Sequence, residues 1–571
     1  MSPKPCIARA TILVVCTPSL AWAADQPPQF DTGDSAWMLT SSALVLMMTI
    51  PGLALFYGGL VRSKNVLSTL MHSFFCAALI SVTWVLFGYS FSFSGSGKFI
   101  GDMSLCLLGF LGDGSASVLG TSHALAPTIP QMLFVVYQAT FAIITPALIS
   151  GTFAERMRFP AFALFIVLWS ALIYAPLAHW VWGGGWIGTM GALDFAGGTV
   201  VHISSGVSAL VTAVYLGRRF GYGHEPMAPH NLPLTVVGAA LLWVGWFGFN
   251  AGSACGAGEL AATAFVNTNT AAAAAALGWM LAEWLRSGKP TMLGVASGAV
   301  AGLVAITPAA GFVTPAASII IGLLGGAVCY TAVSLKPRLG YDDALDVVGV
   351  HMVGGTLGAL LTGVFATELV NSAMPSLTGG LHGGGLALLT KQAIAVLATY
   401  LFCGVGTLIL LVAVNAVTRV RADQEEEILG MDITQHSERA YLIGGGENVA
   451  ILAAREPRAA SIPPVRSEAF TIELAGIEVD GISSRWRSLC QDNGSPVSPE
   501  FKAVYPYLAT IKGTKFRFRG GNRELARKGL EALFKPASAD VLARIVDCSD
   551  AGVVDWQSSP RRKPHEEEQR R

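Results

Sequence analysis

The chain has 571 residues, of which 52% are hydrophobic and only 13% charged, and its 37 basic and 37 acidic side chains cancel. A soluble core of this length does not need that apolar excess, so the composition specifies a polytopic membrane protein, and zero net charge gives no general affinity for nucleic acid. Nine cysteines are scattered without CxxC or ligand-like spacing, which points to neither a disulfide framework nor a zinc site.

In chain order, Lys4 and Arg9 precede an apolar run and the small-residue pattern Ala21-Trp22-Ala23. This reads as a secretory signal peptide over residues 1–23. Apolar stretches long enough to cross a bilayer follow near 36–59, 67–94, 130–153, 159–178, 198–217, 231–254, 260–285, 291–307, 315–335, 346–367 and 391–418. Alternate connections hold Arg62 and Lys64, Arg156 and Arg158, Arg218 and Arg219, Arg286 and Lys289, Lys336 and Arg338, then Arg419 and Arg421; only Lys98 and Lys391 fall on the other side. The positive-inside rule therefore predicts eleven spans with the amino terminus outside and the carboxyl terminus in the cytoplasm. The predicted membrane domain covers 24–421, the cytoplasmic tail and linker 422–465.

Two histidines, His202 and His351, stand within the fifth and tenth of these spans, each behind a valine-rich frame, Val200-Val201 in one and Val348-Gly349-Val350 in the other. An ionisable ring in hydrocarbon is costly and marks a pathway or a partner. Five spans repeated as five inverted spans, with the eleventh added, would bring both imidazoles to a pseudo-twofold axis near the midplane. The pair is expected to rest neutral and to share a ring N–H to N hydrogen bond, each ring fixing the other's tautomer. Neighbouring Cys, Asp or Glu ligands are missing from those spans, which argues against a haem or metal centre. The other histidines, among them His72, His179, His230 and His436, are expected at span edges or loops in solvated or capping roles. Asp194 is a carboxylate in an apolar setting; its expected role is to accept backbone and Thr199 hydroxyl bonds that order the start of the fifth span.

The segments IPGLALFYGGLVRSKNVLS (50–68), FAERMRF (153–159), HWVWGGGWIG (179–188), GALDFAGGTVVHI (191–203), PHNLP (229–233), GWFGFNAGSA (245–254) and DVVGVHMVGG (346–355) together resemble the ammonium transporter (Amt/Mep/Rh) superfamily, in its bacterial Amt branch, over roughly 35–441. The resemblance implies a homotrimer of the bacterial inner membrane with one hydrophobic pore per subunit, no catalytic residues and no cofactor. By the same resemblance, Trp182, Ser253, Phe141 and Asp194 match the outer ammonium recruitment site, and Phe141 and Phe249 match the stacked rings that close the pore. His202 and His351 match its twin-histidine relay, while Gln138, Trp246 and Thr307 match supporting pore positions. The implied process is recruitment of NH4+, its deprotonation near the rings, and passage of NH3 along the histidines while the proton travels separately. Potassium has similar size and charge but can neither donate hydrogen bonds nor shed a proton.

Residues 421–441 resemble the family's short cytoplasmic tail, which in bacteria commonly works with PII signalling proteins. The chain then departs from the family pattern with a further stretch read as a small α/β domain (466–556) and a charged disordered end (557–571). Expected elements there are a strand over 470–479, a helix over 483–493, a strand over 514–520 with Phe516 and Phe518 on one face, and a helix over 523–534 capped by Asn522. Two readings compete with transport: an ammonium sensor signalling through this domain, and an Rh-like conductor of neutral NH3 or CO2.

Overall fold

The computed structural model describes residues 29–110, 117–372, 379–382 and 385–441, and, farther on, 470–475, 508–512, 515–518, 523–534 and 542–546. The expected signal peptide, the helix at 483–493, Asn522 and the charged end lie outside these residues. Two compact units divide the chain at Glu447 and Asn448.

In the first unit ten helical segments are long and apolar enough to cross a membrane: α1 (Thr32–Leu60), α2 (Ser63–Phe93), α3 (Gln131–Phe153), α4 (Phe159–Met190), α5 (Gly198–Leu216), α6 (Leu232–Ala254), α7 (Glu259–Ser287), α9 (Pro315–Leu339), α10 (Val348–Phe365) and α11 (Ala387–Val417). Between α7 and α9 lies a shorter apolar helix, α8 (Met292–Ile306), of 15 residues. It occupies the eighth predicted span but reaches only about 22 Å at 1.5 Å per residue. Its bounds are close to the expected 291–307, and Thr307 to Val313 continue the apolar run in non-helical turns.

Tight packing among α7, α8 and α9 follows from small residues. A Cβ added at Gly322 would lie 2.4 Å from the Ala271 carbonyl oxygen, and one at Gly326 only 2.1 Å from that of Ala275. Several helices contain π-helical turns, including Met48–Leu53 around Pro51, Gly198–Ile203 and Val348–Met352. Each turn accommodates one extra residue per hydrogen-bonded ring and rotates the side chains beyond it, a device frequent at functional sites. His202 and His351 both sit in such turns.

The basic residues expected at one end do gather there, and they are largely neutralised by carboxylates. Glu155, in a left-handed backbone conformation and fully buried at its side chain, pairs with Arg62 (2.8 Å) and Arg219 (3.1 Å). Arg219 continues to Asp342 (2.9 Å), which also meets buried Arg156 (3.2 Å). One network thus ties the connections α1–α2, α3–α4, α5–α6 and α9–α10. Burial works to raise the Glu155 and Asp342 carboxyls, but the surrounding guanidiniums outweigh it and hold both below the usual carboxylate range.

The segment after α11 packs on this end. Val420 and Ala422 exchange backbone hydrogen bonds with Arg158 and Arg156, at 2.9 and 2.8 Å. Two short helices follow, α12 (Gln424–Leu429) and α13 (Met431–His436), the first opened by an Asp423/Glu426 capping box. Arg158 pairs with both Asp423 and Glu426, the Lys64 ammonium donates to the carbonyls of Glu427 and Ile428, and Asp432 accepts the Ser68 N–H. Two histidines correct the expectation of solvated roles. His72 is 2% exposed, with its ring against Phe162 and Phe153, and His179 is wholly buried between the Ser92 and Gly97 carbonyls. His72 faces rings of α3 and α4, and His179 faces carbonyls at and just beyond the end of α2, contacts that the linear pattern does not show. Cys76, Cys329 and Cys403 are free and buried.

The second unit contains a four-stranded antiparallel sheet in the order β2-β3-β1-β4, from β1 (Phe470–Ala475), β2 (Leu508–Lys512), β3 (Lys515–Phe518) and β4 (Leu542–Val546). Helix α14 (Arg523–Phe534) connects β3 to β4, and its Phe534 ring packs 5.6 Å from Phe516. Strands β2 and β4 were not singled out from sequence, because neither has the apolar alternation that marks β3.

Two expectations follow. Glu155→Gln leaves Arg62 and Arg219 facing an uncharged amide, and is expected to lower stability by about 3–5 kcal/mol, the scale for breaking a buried pair. Because the Glu155 and Asp342 pKa values are depressed in the fold, their contribution is complete above the unfolded carboxylate values near 4 and is lost as pH falls through the lower folded values. Melting curves of the purified protein from neutral to acid pH should therefore steepen downward at the acid end in the wild type and less so in Glu155→Gln. Gly326→Val should cost about 1–3 kcal/mol by overpacking against Ala275; an unchanged melting temperature would contradict the contact.

Candidate functional site

A line of rings runs through the middle of the first unit. The Trp182 indole lies edge-on to Phe141, centroids 6.0 Å apart at 84°, and Phe141 stacks obliquely on Phe249 at 4.3 Å. His202 lies 6.0 Å beyond Phe249 and nearly parallel to it, and His351 follows at 5.3 Å. Phe141 and Phe249 are 1% exposed and come from α3 and α6, so the pair seals the space between two helices. Tyr137 buttresses both: its ring meets Phe141 edge-on, and its hydroxyl lies 2.9 Å from the Phe249 carbonyl and 3.2 Å from the Ser253 hydroxyl. Ser253 itself donates to the Phe249 carbonyl at 2.8 Å. Gln138 is buried, and its side-chain oxygen has no hydrogen-bond partner among the described residues.

Hydrogen bonds assign the tautomers of the histidine pair. The Thr307 hydroxyl donates to the Leu303 carbonyl at 2.7 Å and accepts the Trp246 indole N–H at 3.0 Å. Its remaining lone pair faces His202 Nε2 at 3.3 Å, so that nitrogen carries the proton. His202 Nδ1 is then an acceptor, and His351 Nδ1, 3.2 Å away, must donate to it. This leaves His351 Nε2 as a bare acceptor at the end of the chain Trp246–Thr307–His202–His351. A void of about 10 Å³, room for about one water molecule, adjoins both histidines, Trp246 and Phe249. On the basic side a larger cavity of about 200 Å³ is bounded by His351, Tyr57, Trp279, Glu283 and Asp346.

Asp194 orders the entry to α5. Its carboxylate accepts the N–H groups of Gly197 (2.8 Å), Gly198 (2.6 Å), Thr199 (2.8 Å) and Val200 (3.2 Å), along with the Thr199 hydroxyl. Four otherwise orphaned helix donors are thus satisfied by one residue, and its charge opposes the positive end of the helix dipole. The Asp194 main chain has a second task, for its carbonyl accepts the Trp182 indole N–H at 2.9 Å.

Asp343 stands eight residues ahead of His351, as Asp194 stands eight ahead of His202. It accepts the Val348 N–H at 2.7 Å at the start of α10. Sequence reading missed Asp343, although this equal spacing was a visible signal. It also missed Tyr57 and Gln392, which had no pattern to mark them among the apolar residues of their helices. The sequence-assigned Trp182, Phe141, Phe249, His202, His351, Trp246 and Thr307 fall in one contiguous set, with Asp194 joined to it through Trp182. Ser253 and Gln138 adjoin the set on α6 and α3. Among the described residues no cluster of three or more His, Cys, Asp or Glu side chains could hold a metal ion.

The family profile described as Ammonium Transporter Family matches residues 36–441. The chain is 55% identical over 410 residues to an ammonium transporter of Bacillus subtilis (strain 168), covering 72% of this chain and 98% of that one. It is 44% identical over 411 residues to the ammonium transporter Amt1 of Archaeoglobus fulgidus, covering 72% and 99%. Among solved structures, Candida albicans Mep2 superimposes with a TM-score of 0.65 at 37% identity, over 70% of this chain and 88% of its own. A protein described as a sensor Amt protein superimposes with a TM-score of 0.64 at 28% identity, over 71% and 98%. With a matched region spanning the ring line, both histidines and the packed tail, the chain belongs to the ammonium transporter family and is a transporter rather than an enzyme.

Proposed function

We propose that this protein carries ammonium inward across the bacterial inner membrane by recruiting NH4+, deprotonating it and conducting NH3 along the paired histidines, with the proton relayed separately. The observation that carries this reading is the unbroken line Trp182, Phe141, Phe249, His202, His351. The basic end faces the cytoplasm by the positive-inside rule, so Trp182 faces outward. An aromatic face attracts a cation by about 0.5–2 kcal/mol, depending on desolvation. The Asp194 carboxylate adds negative potential nearby, and the Ser253 oxygen offers an acceptor to an ammonium N–H.

At the stacked phenyl rings the charged ion meets an apolar seal. Passing it intact would strip its hydration without replacement, which costs far more than the recruitment gain. NH4+ gives up a proton there to the histidine pair beyond the rings, and NH3 moves on as a neutral donor and acceptor. Beyond the seal, His351 Nε2 offers a lone pair, and the His202–His351 bond gives the proton a route: with the pair in its reversed tautomers, a proton taken up at His202 Nε2 lets His202 Nδ1 pass its own to His351 Nδ1 while His351 Nε2 releases one toward the cytoplasm, and both rings end neutral in the tautomers assigned above. Each position remains neutral at rest, so no fixed charge traps or repels the substrate. Eleven spans in a 5+5 inverted repeat plus one, and assembly as a homotrimer, complete the proposed architecture, with a PII signalling protein as a partner at the packed tail.

A saturable current on an ammonium pulse to liposomes containing the purified protein, absent with potassium, is the expected result; a silent but folded protein would favour neutral gas conduction. Trp182→Leu should raise the half-saturating ammonium concentration by about two- to thirtyfold with little change in maximal current. Asp194→Asn keeps one acceptor oxygen but loses the charge, and should abolish most of the current while the protein still folds. A second reading, sensing, is favoured by the 130 residues that follow the family match and by the likeness to the sensor Amt structure. Removing residues 443–571 separates the two: a transporter keeps its ammonium current, whereas a sensor loses its output.

A further inference from the structure

We propose that Gln392 on α11 is a positioning residue for cation recruitment, holding the Asp194 segment in place with a single side-chain amide. Its Oε1 accepts the Leu193 N–H at 2.7 Å, and its Nε2 donates to the Leu193 carbonyl at 2.8 Å and to the Ala359 carbonyl of α10 at 2.9 Å. The residue is 1% exposed, so these bonds have no competition from water. An amide can make two donor and two acceptor contacts, and three are used here on backbone groups.

The two-way pairing with one residue has a geometric consequence. A single hydrogen bond leaves a loop free to rotate about it, whereas bonds to both the N–H and the C=O of Leu193 fix the direction of the chain entering Asp194. From Asp194 two connections lead to the site. Its carboxylate caps the turn that holds His202, and its carbonyl holds the Trp182 indole N–H. The segment is anchored on its other side as well, where the Phe195 N–H reaches the Pro308 carbonyl at 3.2 Å, and the Leu193 side chain is seated with Phe312, Ala366 and Leu388. In the 5+5 arrangement the eleventh helix lies outside the repeat; Gln392 gives it a task, since this one side chain takes both Leu193 groups.

The inference rests on the recruitment reading of Trp182, and the experiment separates the two. Ammonium-evoked currents would be compared in liposomes for the full chain, Gln392→Met, Gln392→Glu and Trp182→Leu. Gln392→Met preserves side-chain length but leaves buried Leu193 groups unpaired. Gln392→Glu keeps an acceptor for the Leu193 N–H but points oxygen at two carbonyls. Both are expected to raise half-saturating ammonium by about tenfold, the equilibrium equivalent of one unsatisfied buried polar group, with maximal current retained. Unchanged half-saturation in both, or a fall in maximal current alone that tracks the amount of folded protein, would overturn the positioning role. If Trp182→Leu shifts half-saturation and the Gln392 variants do not, the recruitment reading stands and this inference fails; if Trp182→Leu shifts nothing, the recruitment reading fails. Hydrogen exchange on the unsubstituted chain gives a test independent of folding in variants. The Leu193 amide should be as protected as those of Gly197 to Thr199, and rapid exchange at Leu193 alone would also overturn it.

Discussion

The contact between His202 Nδ1 and His351 Nδ1 is the point on which the surrounding architecture converges. Two imidazoles can share one proton at 3.2 Å only if their rings are held in complementary tautomers, and an apolar interior penalises a ring nitrogen left unpaired. The fold meets this demand twice over. Each ring sits in a π-helical turn, and each turn begins under a carboxylate eight residues earlier, Asp194 for His202 and Asp343 for His351.

The two halves are not equal, and the inequality has a physical direction. Asp194 accepts four backbone N–H groups, while Asp343 accepts one and has Lys336 donating to its carbonyl. Donation runs from His351 through His202 to Thr307, which also accepts the Trp246 N–H and itself donates to the Leu303 carbonyl. The donor chain thus starts at His351, beside the cavity bounded by Tyr57 and Asp346, and ends on the α6–α8 side. An equal pair of sites would have no such sense of direction.

Around this apolar centre most of the basic residues gather at one end and are paired there. Glu155, Asp342, Arg62, Arg156 and Arg219 join four inter-helix connections, and the tail adds Asp423, Glu426 and Glu427 to the same surface. The packed tail is therefore part of the membrane unit, which explains why the compact unit extends to Glu447 although the last span ends near Val417. Small residues in α7–α9 complete the wall, since lipid supplies no hydrophobic drive between helices and close contact must do so.

Much of the plan was legible from residue order alone. Apolar run lengths placed the helices, alternating Arg and Lys placed the basic end, and the two histidines in matching frames marked the centre, because hydrocarbon exacts a large cost for each polar group and leaves few of them. The carboxylate in GALDFAGG announced a cap for the same reason. What residue order could not decide was set by contacts between segments far apart in sequence. The partners of Glu155, the burial of His72 and His179, the tautomer order through Thr307, and the reach of Gln392 to Leu193 all depend on which helices become neighbours, and a side chain's hydrogen-bond partner is a property of that neighbourhood rather than of its position in the chain.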